Sequence, residues 1–270
     1  MLALAHMIWN FFIGLSTDYI TLSPVSSEGF GDVWITIQSQ FGTFFYSIGV
    51  AVLNLFFLIG FVRQASNLKQ SYTLESFIEA AIKLVLANAL MYHCWNLMAG
   101  ILSIATYMTP SGSAITFDTT IDPAVVTADL QDLLQGGMLT GALVVIILLI
   151  YLLVSMICGI MIFITVYTRH FQVFVLATTA PLALSTIAGG ESISRTGYSW
   201  IRAFLGKAFE IVIIGLSLAV GSMIANQLST FVSIGTNTTM NALILEVLTM
   251  IIITASVKGA DVLMTKVFSL

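Results

Sequence analysis

The chain has 270 residues, of which 58% are hydrophobic and 8% charged, with a formal net charge of -4 at pH 7. Soluble domains average about a quarter charged residues, so this composition excludes a soluble globular protein and selects a polytopic membrane protein. In such a protein the distribution of Lys and Arg among the loops, rather than the net charge, tells which end of each span faces the cytoplasm.

Ala3 to Leu15 is apolar but falls short of the roughly 20 residues needed to span a bilayer. His6 and Asn10 interrupt it and it carries Trp9, and it reads as an interfacial helix. It has neither a positively charged n-region nor a small-residue cleavage site, so no signal peptide is expected. Ser16 to Gln40 holds Asp18, Glu28 and Asp32 with Pro24, Gly29 and Gly31, and has no Lys or Arg. Residues 1–40 are therefore expected to form an N-terminal interfacial helix and an outer loop, ahead of a polytopic membrane domain over 41–270.

Residues 41–62 are uncharged, and Arg63 and Lys69 come directly after them, so the first span runs from outside to inside. The second, 79–107, opens with Glu75, Glu79 and Lys83 on one stripe, where Glu79 and Lys83 are spaced to pair. Asn88, His93 and Asn96 lie deeper and read as helix-packing polar groups. Residues 108–137 carry Asp118, Asp122, Asp129 and Asp132 without a basic residue and form the longest outer loop. Within it, Asp122-Pro123 is a helix start and Gly136-Gly137 a stop. A short helix between them places Val126, Leu130, Leu133 and Leu134 on one face. Residues 138–168 form an uncharged third span, longer than the roughly 30 Å core requires, so it tilts or projects.

The stretch 169–207 sets the orientation of the last two spans. Phe171 to Gly190 is uncharged, but Arg169 precedes it and Arg195, Arg202 and Lys207 come after it, so a simple crossing would put basic clusters on opposite faces. Pro181 at its middle and Gly189-Gly190 at its end break a helix. It is expected to be a re-entrant or interfacial segment, 171–190, that returns to the cytoplasmic side. Next comes a cytoplasmic amphipathic helix, 194–207, with Gly197, Trp200, Ile201, Phe204 and Leu205 on one face. Arg195, Ser199, Arg202 and Gly206 lie on the other. Span four, 208–232, repeats Ser217, Gly221 and Ala225 every four residues, a stripe that lets another helix pack closely. Span five, 240–257, ends inside at Lys258. The resulting fold is an all-α integral membrane protein of about five transmembrane helices plus a re-entrant or interfacial hairpin and short amphipathic helices. Its N-terminus lies outside and its C-terminus in the cytoplasm, with every Lys and Arg at a cytoplasmic end.

No HExxH, GxSxG, P-loop or CxxC pattern is present, and His6, His93 and His170 are too scattered for a metal on local spacing. Cys94 and Cys158 lie in apolar segments, where a free thiol acts as a small hydrophobe. Neither enzyme activity nor a cofactor is expected. Glu246, about two turns into span five, is the strongest candidate on physical grounds, as a functional carboxyl or a hydrogen-bonded packing residue. Pro181, Arg195, Trp200, Arg202 and Glu246 are the candidate channel or partner-docking residues.

Four stretches carry a family likeness: LFFLIGFVRQASNLKQ (55–70), TLESFIEAAIKLVLANAL (73–90), ATTAPLALSTIAGGE (177–191) and GYSWIRAFLGKAFE (197–210). In these the chain resembles the TrbL-type conjugal transfer proteins, the polytopic inner-membrane component of type IV secretion systems, and looks most like forms from conjugative elements of Gram-positive bacteria. The resemblance implies a bacterial cell-membrane protein without enzymatic activity, acting as a scaffold or channel subunit. Such a subunit helps pass relaxase-bound single-stranded DNA or proteins across the membrane. It also implies partners: secretion ATPases, small bitopic membrane subunits, other copies of the chain, membrane lipid and transient contact with the transferred strand. The large soluble extension that some members carry is not expected here. The residues alone leave an alternative open, a small-solute or ion transporter with its site at the broken segment around Pro181 and at Glu246. Transporters commonly show paired discontinuous segments, however, and only one is evident here.

Overall fold

The computed structural model describes residues 2–26, 30–65, 74–110, 138–231 and 238–267. Among these there is no strand. The helices are α1 (Leu2–Thr21), α2 (Gly31–Ile37), α3 (Thr43–Ala65), α4 (Leu74–Tyr92), α5 (Cys94–Met108), α6 (Met138–Ser185), α7 (Gly190–Phe231) and α8 (Thr238–Val267). A π-turn, Gln38–Gly42, joins α2 to α3. Four helical stretches are long and apolar enough to cross a membrane: Gly31–Val62, Gly141–Ala188, Ile193–Ile224 and Leu243–Met264. The pair Ala81–Tyr92 and Cys94–Met108, bent by 63°, makes a fifth if taken as one span. The protein is an all-α multi-pass membrane protein. Of the expected outer loop, 111–137 and the short helix within it lie outside the described residues.

Several boundaries differ from those expected. Ser16–Gln40 is helical at both ends, through Thr21 and again from Gly31. The Ser16 and Thr17 hydroxyls donate to the Phe12 and Ile13 carbonyls and so are satisfied inside α1. The third span and the segment 171–190 are one continuous helix, and the amphipathic stretch 194–207 runs unbroken into span four. Arg169 does not interrupt α6, because Arg is a good helix former and its charge is met by backbone carbonyls instead of water. Pro181 does not break it either. It removes one amide, the partner of the Ala177 carbonyl, and a neighbouring helix holds the turn in place, as Pro in membrane helices requires. The break falls later, at the 3₁₀ turn Thr186–Ala188 and Gly189, where the Ser185 and Thr186 hydroxyls donate to the Leu182 and Ala183 carbonyls.

At 1.5 Å per residue, the 48 residues of α6 and the 42 of α7 are about 72 Å and 63 Å long, each at least twice a hydrocarbon core of roughly 30 Å. Each helix therefore has a stretch outside the lipid tails.

The chain divides into two compact units. The first contains Met1–Thr21, Tyr107–Thr168 and Glu210–Leu263. In it, α1 buries Leu2, Ala5, His6, Trp9, Ile13, Ser16 and Ile20, a single helical face. Phe12 lies against Gly159, and Tyr19 packs on Phe163 and Tyr167. Ile20 and Thr109 meet Gly215, and Ile253 of α8 meets Gly221.

The second unit contains Leu22–Thr106, Arg169–Phe209 and Met264–Leu270. Its core gathers Trp34, Cys94, Trp95, Met98, Leu102, Val173, Phe174, Ala177, Ala180, Leu184, Phe204 and Ala208. Trp34 and Trp95 meet edge to face at 5.1 Å, and the π-turn glycine, Gly42, lets the Trp95 indole lie directly on the backbone. A smaller cluster of Leu53, Ala87 and Met91 packs on Ala188.

Candidate functional site

The second half of α6 and the first part of α7 form an antiparallel helical hairpin within the second unit. Its open end is clasped by Arg169, which is 1% exposed. The Arg169 Nε donates to the Lys207 carbonyl at 3.1 Å and Nη2 donates to the Ala208 carbonyl at 2.9 Å. Midway, the Trp200 Nε1 donates to the Thr179 hydroxyl at 3.3 Å. Near the tip, Gly197 admits Ile187 and the Ala183 carbonyl, and Gly189 admits Phe56. Segment 171–190 is thus one arm of a longer hairpin and not a hairpin folded about Pro181. The start of this arm and the far end of the next still meet at one level, since Arg169 touches residues 207 and 208.

Pro181 is buried, and its carbonyl faces Gly49 of α3. Trp200 is half-buried and stacked on Phe204 at 5.4 Å, so it packs the hairpin. Arg195 and Arg202 are exposed on the outer face of the second arm with Tyr198 and Ser199. They stand seven residues apart, two helical turns or about 10 Å. Gly206, expected on this polar face, is buried. Arg169, expected only as a basic flank of segment 171–190, is the clasp.

Glu246 belongs to the first unit, whereas Pro181 belongs to the second. Its carboxyl Oε1 lies 3.3 Å from His6 Nδ1, with the two side chains 12% and 7% exposed. The Tyr151 hydroxyl lies 3.3 Å from His6 Nε2. Three helices, α1, α6 and α8, therefore bring one titratable group each to a single buried point. Sequence reasoning singles out Glu246 but neither His6 nor Tyr151, which lie 240 and 95 residues away from it. The signal is present in α1: His6 falls on the same i, i+3, i+4 stripe as Leu2, Ala5, Trp9 and Ile13. Of the small-residue stripe, Gly221 faces Ile253 and Ser217 is half-buried, while the Ala225 side chain lies outside the described set. Among the described residues no group of three His, Cys, Asp or Glu side chains is arranged to hold a metal.

Residues 18–181 match the model of a family described as TrbL/VirB6 plasmid conjugal transfer like protein. No curated protein and no solved structure matches the chain.

Proposed function

The chain belongs to the TrbL/VirB6 plasmid conjugal transfer-like family, and from that premise we propose that it is a non-enzymatic inner-membrane subunit of a type IV secretion machine. It acts as a scaffold or channel wall through which relaxase-bound single-stranded DNA or protein passes. Secretion ATPases, small bitopic subunits and further copies of the chain are its partners. The observation that carries the reading beyond family membership is the exposed Arg195 and Arg202 pair on the hairpin. Even on the mildest scale, an arginine facing hydrocarbon costs about 2.5–3.5 kcal/mol. This face therefore meets water, headgroups or a polyanion, and a guanidinium fork suits phosphate oxygens.

The double variant Arg195→Gln/Arg202→Gln is expected to lower conjugative transfer by at least about tenfold, the effect of losing one charge-assisted hydrogen bond at a binding face. Insertion and abundance stay at wild-type levels. Wild-type transfer by a normally inserted double variant would refute the role of this face.

The proposed orientation has the N-terminus outside and the C-terminus in the cytoplasm, since no Lys or Arg then falls outside. Single-cysteine variants at Ser192, at the start of α7, and Thr236, beyond its last residue in sequence, are expected to label with membrane-impermeant maleimide from opposite sides, Ser192 from the cytoplasm. Equal labelling from one side would overturn the arrangement.

A further inference from the structure

We propose that His6, Tyr151 and Glu246 form a proton-holding latch that pins α1 to α6 and α8. Charge at a buried point decides which protonation states it can adopt. With His6 neutral and Glu246 ionised, the site carries an uncompensated negative charge. With both groups protonated, it carries an uncompensated positive one. Only two arrangements are neutral: imidazolium with carboxylate, and imidazole with carboxylic acid. They hold the same number of protons and differ only in whether the shared one sits on His6 Nδ1 or Glu246 Oε1, the atoms 3.3 Å apart. Burial out of water penalises net charge, so the docked site keeps that one proton. In both neutral arrangements His6 Nε2 carries its own hydrogen and donates to the Tyr151 oxygen, 3.3 Å away, which fixes the ring orientation.

The other titratable groups on the packed helices lie well along them from this point. On α1, Asp18 and Tyr19 lie twelve or more residues from His6, about 18 Å along the helix. On α6, Cys158 and Tyr167 lie two and more than four turns beyond Tyr151. On α8, Lys258 and Asp261 are at least twelve residues from Glu246. On α7, Glu210 precedes Gly215, which packs at the far end of α1 against Ile20.

Proton numbers fix the pH dependence of docking. Once α1 leaves and water reaches the pair, the reference is free side chains, about 6.5 for an imidazole and about 4.3 for a carboxyl. Above about pH 6.5 the released pair holds one proton fewer than the docked pair, so docking weakens about tenfold per pH unit as pH rises. Between those two values the counts match and docking does not vary. Below them the released pair holds one more, and docking weakens as pH falls. Glu246→Gln removes the shared proton but not the contact. Its amide oxygen accepts from His6 Nδ1–H, and Tyr151 turns to donate to Nε2. This variant is neutral in both states at alkaline pH, so its docking becomes independent of pH there.

The test is amide hydrogen exchange of residues 2–21 in the full-length protein in lipid nanodiscs, corrected for intrinsic exchange. Wild-type protection is expected to fall about tenfold per unit between roughly pH 7 and 9, and Glu246→Gln protection to stay constant. A flat wild-type profile, or equal slopes in the two proteins, overturns the latch. Should Glu246→Gln not insert, a single-cysteine Ala5→Cys protein decides the matter, because Ala5 is fully buried on the packed face of α1. Its labelling rate relative to glutathione must rise about tenfold per unit over that range, and a constant ratio overturns the proposal.

Discussion

Replacing Arg169 with methionine is expected to destabilise the protein by about 3 kcal/mol or more, because two hydrogen bonds from a buried guanidinium are lost, each worth about 1.5–3 kcal/mol. Methionine keeps the unbranched apolar stem but not the guanidinium, so the loss falls chiefly on the clasp. The effect should be localised: exchange protection falls in 171–185 and 190–207, while Leu53, Ala87 and Met91 keep theirs. Arg169→Lys should rescue little. A single ammonium cannot present the two parallel donors that reach the Lys207 and Ala208 carbonyls together. Unfolding of detergent-solubilised protein, monitored by helical circular dichroism, checks the magnitude. A midpoint unchanged in Arg169→Met would mean that core packing alone closes the hairpin.

The second large effect is expected at Gly49. A Cβ there would lie 2.8 Å from the Pro181 carbonyl oxygen and 3.1 Å from its carbon. Both are backbone atoms in the middle of a packed arm and cannot swing aside as a side-chain terminus would. Overpacking of this kind costs about 1–3 kcal/mol, and the helix-forming gain of Gly to Ala, up to about 1 kcal/mol, offsets part of it. Gly49→Ala is therefore expected to be destabilising and Gly49→Val more so. Gly100 on α5 supplies the control, since a Cβ there meets nothing within 4 Å. Gly100→Ala should be neutral or stabilising by up to about 1 kcal/mol. The same denaturation experiment reads both, and equal behaviour of the two glycines would contradict the close approach of α3 to Pro181.

Much of the architecture is legible in the chain, because hydrocarbon imposes a simple rule on what can cross it. Four of the five expected spans overlap a helical stretch apolar enough to do so, and the second, 79–107, overlaps a bent helix pair that qualifies only when taken as one span. Boundaries are harder to read, and Arg169 shows why. A charge at the end of an apolar run looks like a flank unless something distant accepts its protons, and here the acceptors are carbonyls 38 and 39 residues away. Pro181 misleads for a related reason: a missing amide breaks an isolated helix, but Gly49 and the surrounding core hold this one. His6 interrupts an apolar stretch and so suggests an interface, whereas its partners are 145 and 240 residues away and no local period can encode that. Glu246 stands out because a carboxyl deep in a span always needs an account. Arg195 and Arg202 lie on the exposed face that their spacing predicts.

The arrangement of the first unit bears on how the protein is made. Its pieces come from the beginning, middle and end of the chain, so α1 leaves the ribosome long before α8, which supplies its carboxyl partner. At about 5–20 residues per second, the intervening residues take roughly 10–50 s to synthesise. Throughout that interval α1 must be sheltered by lipid or by the insertion machinery. Meanwhile the second unit already has nearly all of its helices by the time residue 209 emerges.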